Sequence, residues 1–114
     1  MSLSLRALTP SDTAELEQVR QFFRNYAAWL GVDLSYQGFA DEVANLPGAY
    51  GEADGRLFFA ELDGRPAGCV GVRRFSDGVC EMKRLYVDPE ARGHGVGRKL
   101  ALAAIKAAQA LGYR

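Results

Sequence analysis

The stretch Glu81–Leu100, EMKRLYVDPEARGHGVGRKL, decides how this chain is read. It runs as a strand, a turn marked by Pro89, a glycine-rich loop and the start of a helix. That order builds an anion site. The first N–H groups of a helix lack partners within it, and the helix dipole adds partial positive charge at the same end. Glycines at 93, 95 and 97 remove side chains that would hold a phosphate away from those N–H groups. Arg92 and Arg98 bracket the loop with full charges suited to phosphate oxygens. The plain alternative for the glycines is an ordinary tight turn.

Spacing separates the phosphate loops that share this physics. A dinucleotide fingerprint needs Gly-x-Gly-x-x-Gly, but Arg98 stands three after Gly95. A nucleoside-triphosphate loop needs Gly-Lys-Ser/Thr, and here Gly97 precedes Arg98, Lys99 and Leu100. Both patterns fail. What remains is Arg92-x-x-Gly95-x-Gly97 behind a strand that carries Glu81 and ends Leu85-Tyr86-Val87-Asp88-Pro89. This resembles the coenzyme A pyrophosphate loop of the GNAT superfamily of N-acetyltransferases, whose motif is Gln/Arg-x-x-Gly-x-Gly/Ala.

The rest of the chain reads independently of that resemblance. Leu3, Leu5 and Ala7 alternate with Ser4 and Arg6 as a short strand. Thr9-Pro10-Ser11-Asp12 has the form of a helix start, with Thr9 as cap and Pro10 at the first position. Leu16, Val19, Phe23, Tyr26 and Leu30 mark one face of that helix, and Gly31 stops it. A second helix after Ser35 turns Phe39, Val43 and Leu46 inward and ends at Pro47-Gly48. Strands follow over 56–63 and 67–75, separated by a Gly64-Arg65-Pro66 turn, and a third starts at Cys80 after Ser76-Asp77-Gly78. A helix over 96–111 closes at Gly112. The order is β-α-α-β-β-β-α. It predicts an α/β (α+β) domain with a mixed, mostly antiparallel sheet and helices on both faces.

Composition bounds the function. With 114 residues and 48% hydrophobic content, the chain suits one compact domain. A net charge of zero argues against nucleic-acid binding. No apolar run reaches the length of a membrane span and no signal peptide precedes the first strand, so a cytoplasmic protein is expected. Cys69 and Cys80 fall on adjacent strands but not opposite each other, so they read as free thiols, with no metal pattern for either. Residues 1–63 carry ten Asp/Glu against four Lys/Arg, and residues 64–114 the reverse. The basic half is the half with the anion loop. The acidic half either attracts a cationic acceptor or is simply solvated by its carboxylates.

The resemblance implies the GNAT fold over 1–114 as a single, incomplete N-acetyltransferase domain, with a cofactor-binding core at 80–112. It implies acetyl-CoA (coenzyme A) as cofactor, a primary amine of a small molecule or peptide as acceptor, and direct attack in a ternary complex. The family's fifth strand, fourth helix and closing strands would follow Arg114, which points to a truncated or partial chain, or else to a short natural one completed by a partner's strand. The exposed edge of the fourth strand then invites pairing, including a homodimer. Cofactor contacts map onto Leu85, Tyr86, Val87, Arg92, Gly93, His94, Gly95, Val96, Gly97 and Arg98. A bulge near Leu85 in the family frees backbone groups for the acetyl and pantetheine. Glu81 matches the position of a glutamate base, or it is a strand carboxylate paired with Arg73, Arg74 or Lys83. His94 occupies a variable loop position, where a solvent-facing role or a weak phosphate contact is expected.

The family's usual general acid, a tyrosine, lies on the fourth helix, and Tyr86 and Tyr113 are poor substitutes. Asp33, Tyr36 and Phe39 are the acceptor-pocket candidates, set against a core reading for the aromatic cluster Phe22, Phe23, Tyr26 and Trp29. The rival from another class is a non-catalytic acyl-CoA-binding or interaction module.

Overall fold

The computed structural model describes residues 2–30, 39–51 and 54–113. The expected order of elements is present: β1 (Leu3–Ala7), α1 (Thr13–Leu30), α2 (Phe39–Ala44), β2 (Arg56–Leu62), β3 (Arg65–Ser76), β4 (Val79–Val87) and α3 (Val96–Ala110). The four strands lie in sequence order in one sheet, and every neighbouring pair is antiparallel. Among the described residues, β4 forms one edge of that sheet.

Both hairpins close on Asp-Gly. The β2–β3 turn is Asp63-Gly64, with φ of 53° and 80°, the left-handed pair that matches strand twist. This corrects the expected Gly64-Arg65-Pro66 turn, because Arg65 and Pro66 already pair with Leu62 and Glu61. Asp77-Gly78 closes the β3–β4 hairpin, with Gly78 at φ 73°.

A second correction concerns Thr9–Asp12. The Asp12 carboxylate accepts from the Thr9 N–H at 2.8 Å and from its hydroxyl at 3.1 Å, which holds the segment as a turn. The helix proper begins at Thr13, and the Asp12 carbonyl accepts the first helical bond from the Leu16 N–H. Asp and Thr side chains compete with helix in this way by satisfying local backbone groups themselves.

The two faces of the sheet carry different cores. On one, α3 sets Val96, Leu100 and Ala104, four residues apart, against Ala60, Ala67, Val70 and Val72. Leu100 is fully buried, which contributes roughly 1.5–3 kcal/mol. On the other, α1 and α2 bring Leu16, Val19, Phe22, Phe23 and Val43 onto Leu57, Phe59, Cys69 and Tyr86. Two glycines in β3 permit close approach, Gly71 to the second layer and Gly68 to β4 and Leu100 on the α3 face. A Cβ at Gly71 would meet the Tyr50 ring at 2.5 Å, and one at Gly68 would fall on the Tyr86 carbonyl oxygen. Trp29 departs from the core reading of its cluster. It is 67% exposed, while Phe22 and Phe23 are buried.

Cys69 lies opposite Tyr86 and Cys80 opposite Arg74, so the thiols do not meet and both are free. Among the described residues no helix is long and apolar enough to cross a membrane. None of them form a group of three or more metal-ligating side chains.

Candidate functional site

β4 hands the chain to α3 through a short, ordered connection. The Asp88 N–H bonds the Ala67 carbonyl at 2.7 Å, and its carboxylate caps the turn at Pro89–Ala91 by accepting from the Glu90 N–H. Arg92 is extended, at φ −65° and ψ 152°, and starts the loop. Gly93 and Gly95 then take φ of 86° and 76°, which L side chains rarely adopt. A Cβ at either would meet no atom within 4 Å, so the space above the loop is open.

Gly95 caps α3, and the helical ladder starts with the Lys99 N–H on the Gly95 carbonyl at 3.1 Å. The N–H groups of Val96, Gly97 and Arg98 precede that bond and have no acceptor within the helix. Val96 is buried and anchors the turn, while Arg92, His94 and Arg98 are exposed around it. Gly97 sits against Val87, where a Cβ would come to 3.3 Å of the side chain. The loop is therefore an open helix N-terminus with three unpaired backbone donors, and exposed arginines stand on either side of it in the chain. Its chemistry suits a phosphate or pyrophosphate. His94 also faces an open cavity of about 440 Å³ lined by Asp63, Arg65, Asp88 and Glu90.

The strand leading to this loop carries a bulge. Cys69 pairs with Tyr86 and Gly71 with Lys83, so Val70 faces both Arg84 and Leu85. Side chains alternate along a strand, so Glu81 and Lys83 would share a face with Leu85 if pairing were regular. The extra residue resets the alternation. Tyr86 turns onto the α1 and α2 side against Phe22, ring centroids 5.4 Å apart, while Leu85 and Val87 pack on the α3 side. Arg84 takes φ 60°, a left-handed conformation that costs a non-glycine residue on the order of 1–2 kcal/mol.

That cost is borne within a buried ionic cluster that the sequence reading did not single out. Arg84 donates to the Glu42 carboxylate twice, from Nε and from an Nη, each at 2.9 Å. The two side chains are only 3% and 9% exposed. Tyr50 donates its hydroxyl to the same carboxylate at 2.8 Å. The rings of Phe39 and Tyr26 flank the guanidinium at 5.1 and 5.8 Å. Burial alone would raise the Glu42 carboxyl, but the bonds from Arg84 and Tyr50 outweigh it and hold the carboxyl below its ordinary value. The Tyr50 hydroxyl is pushed up, by burial first and then by Glu42. No local pattern reveals a pair 42 residues apart. The one sequence signal is the loss of alternation in Leu85-Tyr86-Val87, which marks the bulge.

Glu81 lies directly across from Arg73, and the two form an ion pair at 3.4 Å with each side chain about a third exposed. Arg73 in turn stands over the Tyr50 ring at 6.0 Å. Lys83 shares this face, and burial first, then Arg84 and Arg73, lower its pKa. Phe39 stacks on Phe23 at 6.5 Å and borders an open cavity of about 330 Å³ with Arg24, Ala40, Val43 and Ala44. Asp33 and Tyr36 lie outside the described residues. Tyr113 donates to the Asp54 carbonyl at 2.8 Å, away from the loop.

Comparison with known proteins agrees with this geometry. The family described as Acetyltransferase (GNAT) matches residues 14–114. An uncharacterised N-acetyltransferase of Schizosaccharomyces pombe is 39% identical over 101 residues, covering 87% of this chain and 62% of its own length. One from Dictyostelium discoideum is 44% identical over 70 residues, covering 60% of this chain and 32% of its own. The chain thus spans between a third and two thirds of these relatives. Among solved structures, the PaiA N-acetyltransferase of Thermoplasma acidophilum, in complex with coenzyme A, superposes with a TM-score of 0.72 at 22% identity. That match covers 98% of this chain and 75% of the other.

Proposed function

The chain belongs to the GNAT acetyltransferase family, and we propose that it binds acetyl-CoA and presents the acetyl group to a primary amine of a small molecule or peptide. The observation that carries this reading is the continuity of two backbone features. An open left-handed loop at Gly93 and Gly95 follows directly from a bulged strand at Arg84–Leu85. The loop fits a pyrophosphate, since nothing fills the space over its glycines. Arg92, Arg98 and the N–H groups of Val96, Gly97 and Arg98 would hold it. Backbone groups of Leu85, Tyr86 and Val87, offset by the bulge, face the acyl end and supply the oxyanion donor. When bound, acetyl-CoA supplies an activated thioester.

Glu81 takes the proton from the incoming amine, directly or through water. An alkylamine with pKa about 10.4 is almost wholly protonated at neutral pH, and freeing it costs roughly 4 kcal/mol. A carboxylate about a third exposed is suited to that task. The Arg73–Glu81 pair favours one alternative, because it gives the carboxylate a purely structural use. The chain would then be a non-catalytic acyl-CoA-binding module. Such a module shows no turnover even as the wild type; where the wild type turns over, a fall of about 10²–10⁴-fold in Glu81→Gln with cofactor affinity unchanged supports the base. Unchanged turnover removes Glu81 from catalysis.

The primary test is calorimetric titration of acetyl-CoA, with acetate and ATP as controls. Binding of acetyl-CoA alone, abolished by Gly95→Asp, is the expected result. That substitution places a carboxylate among the phosphates and a side chain at φ 76°. Affinity that survives Gly95→Asp would sink the loop assignment.

A further inference from the structure

Arg84 stands where the backbone would be more comfortable with glycine, yet its side chain is buried and fixed at both ends of the guanidinium. Its carbonyl is also engaged, accepting from the Cys69 thiol on the neighbouring strand at 3.6 Å. The far partner, Glu42, belongs to α2, the helix whose first residue, Phe39, covers the guanidinium. Tyr50 completes the carboxylate and fills the place left by Gly71 on β3. Three separate segments therefore converge on one residue, and that residue is the bulge.

We propose that the Glu42–Arg84 pair is a positioning device: it locks the β4 bulge in register, so that the backbone of Leu85 to Val87 keeps its aim at the acyl group. The device also ties the placement of α2, on the acceptor side, to the shape of the cofactor strand. The chemical half of this inference rests on the acetyl-CoA reading. The structural half does not.

The bulge is a choice between registers. Pairing Lys83 with Gly71 and Tyr86 with Cys69 requires one surplus residue between them, and either Arg84 or a neighbour can be that residue. A left-handed backbone at 84 selects one solution, and the bidentate grip of Glu42 holds a non-glycine residue there. Glycine adopts the same φ without a side chain, whereas alanine has neither the grip nor the freedom. The pair Arg84→Gly and Arg84→Ala therefore distinguishes register control from simple burial of a charge.

The experiment has two arms, each run on the wild type, Glu42→Gln, Arg84→Gly and Arg84→Ala. The first is ligand-free: amide chemical shifts and HN–Hα couplings across residues 83–86. Glu42→Gln and Arg84→Ala should displace these signals, and Arg84→Gly should keep the wild-type pattern. The second compares affinity for acetyl-CoA with affinity for free CoA. The preference for the acetylated form should fall about tenfold in Glu42→Gln and Arg84→Ala, the equivalent of one misplaced hydrogen bond. It should persist in Arg84→Gly, with free CoA affinity constant throughout.

Unchanged signals at 83–86 in Glu42→Gln, or identical behaviour of the glycine and alanine variants, overturns the proposal. If the wild type binds neither CoA nor acetyl-CoA, the cofactor reading fails and the spectroscopic arm decides this proposal alone. If Glu42→Gln does not fold, the glycine–alanine comparison decides it.

Discussion

The two faces of the sheet are built on opposite terms. The α3 face is a layer of alanine, valine and leucine, set by one helix against three strands. The α1 and α2 face is bulky and aromatic, and at its centre it buries a carboxylate, a guanidinium and a phenol in mutual contact. The first face tolerates adjustment, since small apolar groups repack. The second is all or nothing, because a buried polar network is favourable only while every member keeps its partners. The contrast matches a division of labour: a simple layer supports the open glycine loop, and an exacting one fixes the bulged strand that leads into it.

The largest effect should come from breaking the exacting face. Glu42→Ala leaves the Arg84 charge buried without its carboxylate and should cost about 3–5 kcal/mol in urea denaturation. Its pH dependence carries a sign. The folded Glu42 carboxyl lies below its ordinary value of 4.5, so its stabilisation is present above that value and is lost as pH falls below it. Glu42→Gln should therefore flatten the acid limb of stability against pH. An acid limb identical to wild type would dissociate Glu42 from it.

Leu100→Ala tests the simple face. It should cost about 3 kcal/mol by opening a cavity under α3, and the bulge spectrum at 83–86 should stay unchanged. A displaced bulge in that variant would break the separation of the two faces. Gly71→Ala comes next, at about 2 kcal/mol, because the new methyl must displace the Tyr50 ring. Its effect should shrink in a Tyr50→Phe background only if the hydroxyl bond to Glu42 is what holds the ring in place. Trp29→Ser marks the small end, within about 0.5 kcal/mol, since that ring is mostly in solvent.

What was legible in the sequence follows the same division. Val96, Leu100 and Ala104 repeat at helical spacing, and the Arg92–Gly97 loop announces itself through glycines that only a left-handed or crowded backbone requires. Those signals are local, so a linear reading captures them. Thr9–Asp12 misled for a local reason too: the residues that cap helices also close turns, and here the Asp12 carboxylate chose the turn. At the β2–β3 corner, Pro66 drew the end of the turn two residues late, although Asp63-Gly64 carries the stronger hairpin chemistry. Glu42 and Arg84 were out of reach for a different reason. Each reads as an ordinary surface charge until the fold brings α2 across β4. Glu81 had both of its readings stated from the sequence, and its contact with Arg73 leaves the choice between them to kinetics.

The two Asp-Gly hairpins have a consequence in time as well as in space. Each closes with a two-residue loop, so β2, β3 and β4 find one another at almost no cost in chain entropy. Contacts this local form early and set the folding rate. The grip of Glu42 on Arg84 must wait for segments 42 residues apart to meet. A contact made late contributes little on the way up the barrier and resists on the way down. The residue pair that defines the second face should thus govern how long the folded chain lasts, while the hairpins govern how quickly it is reached.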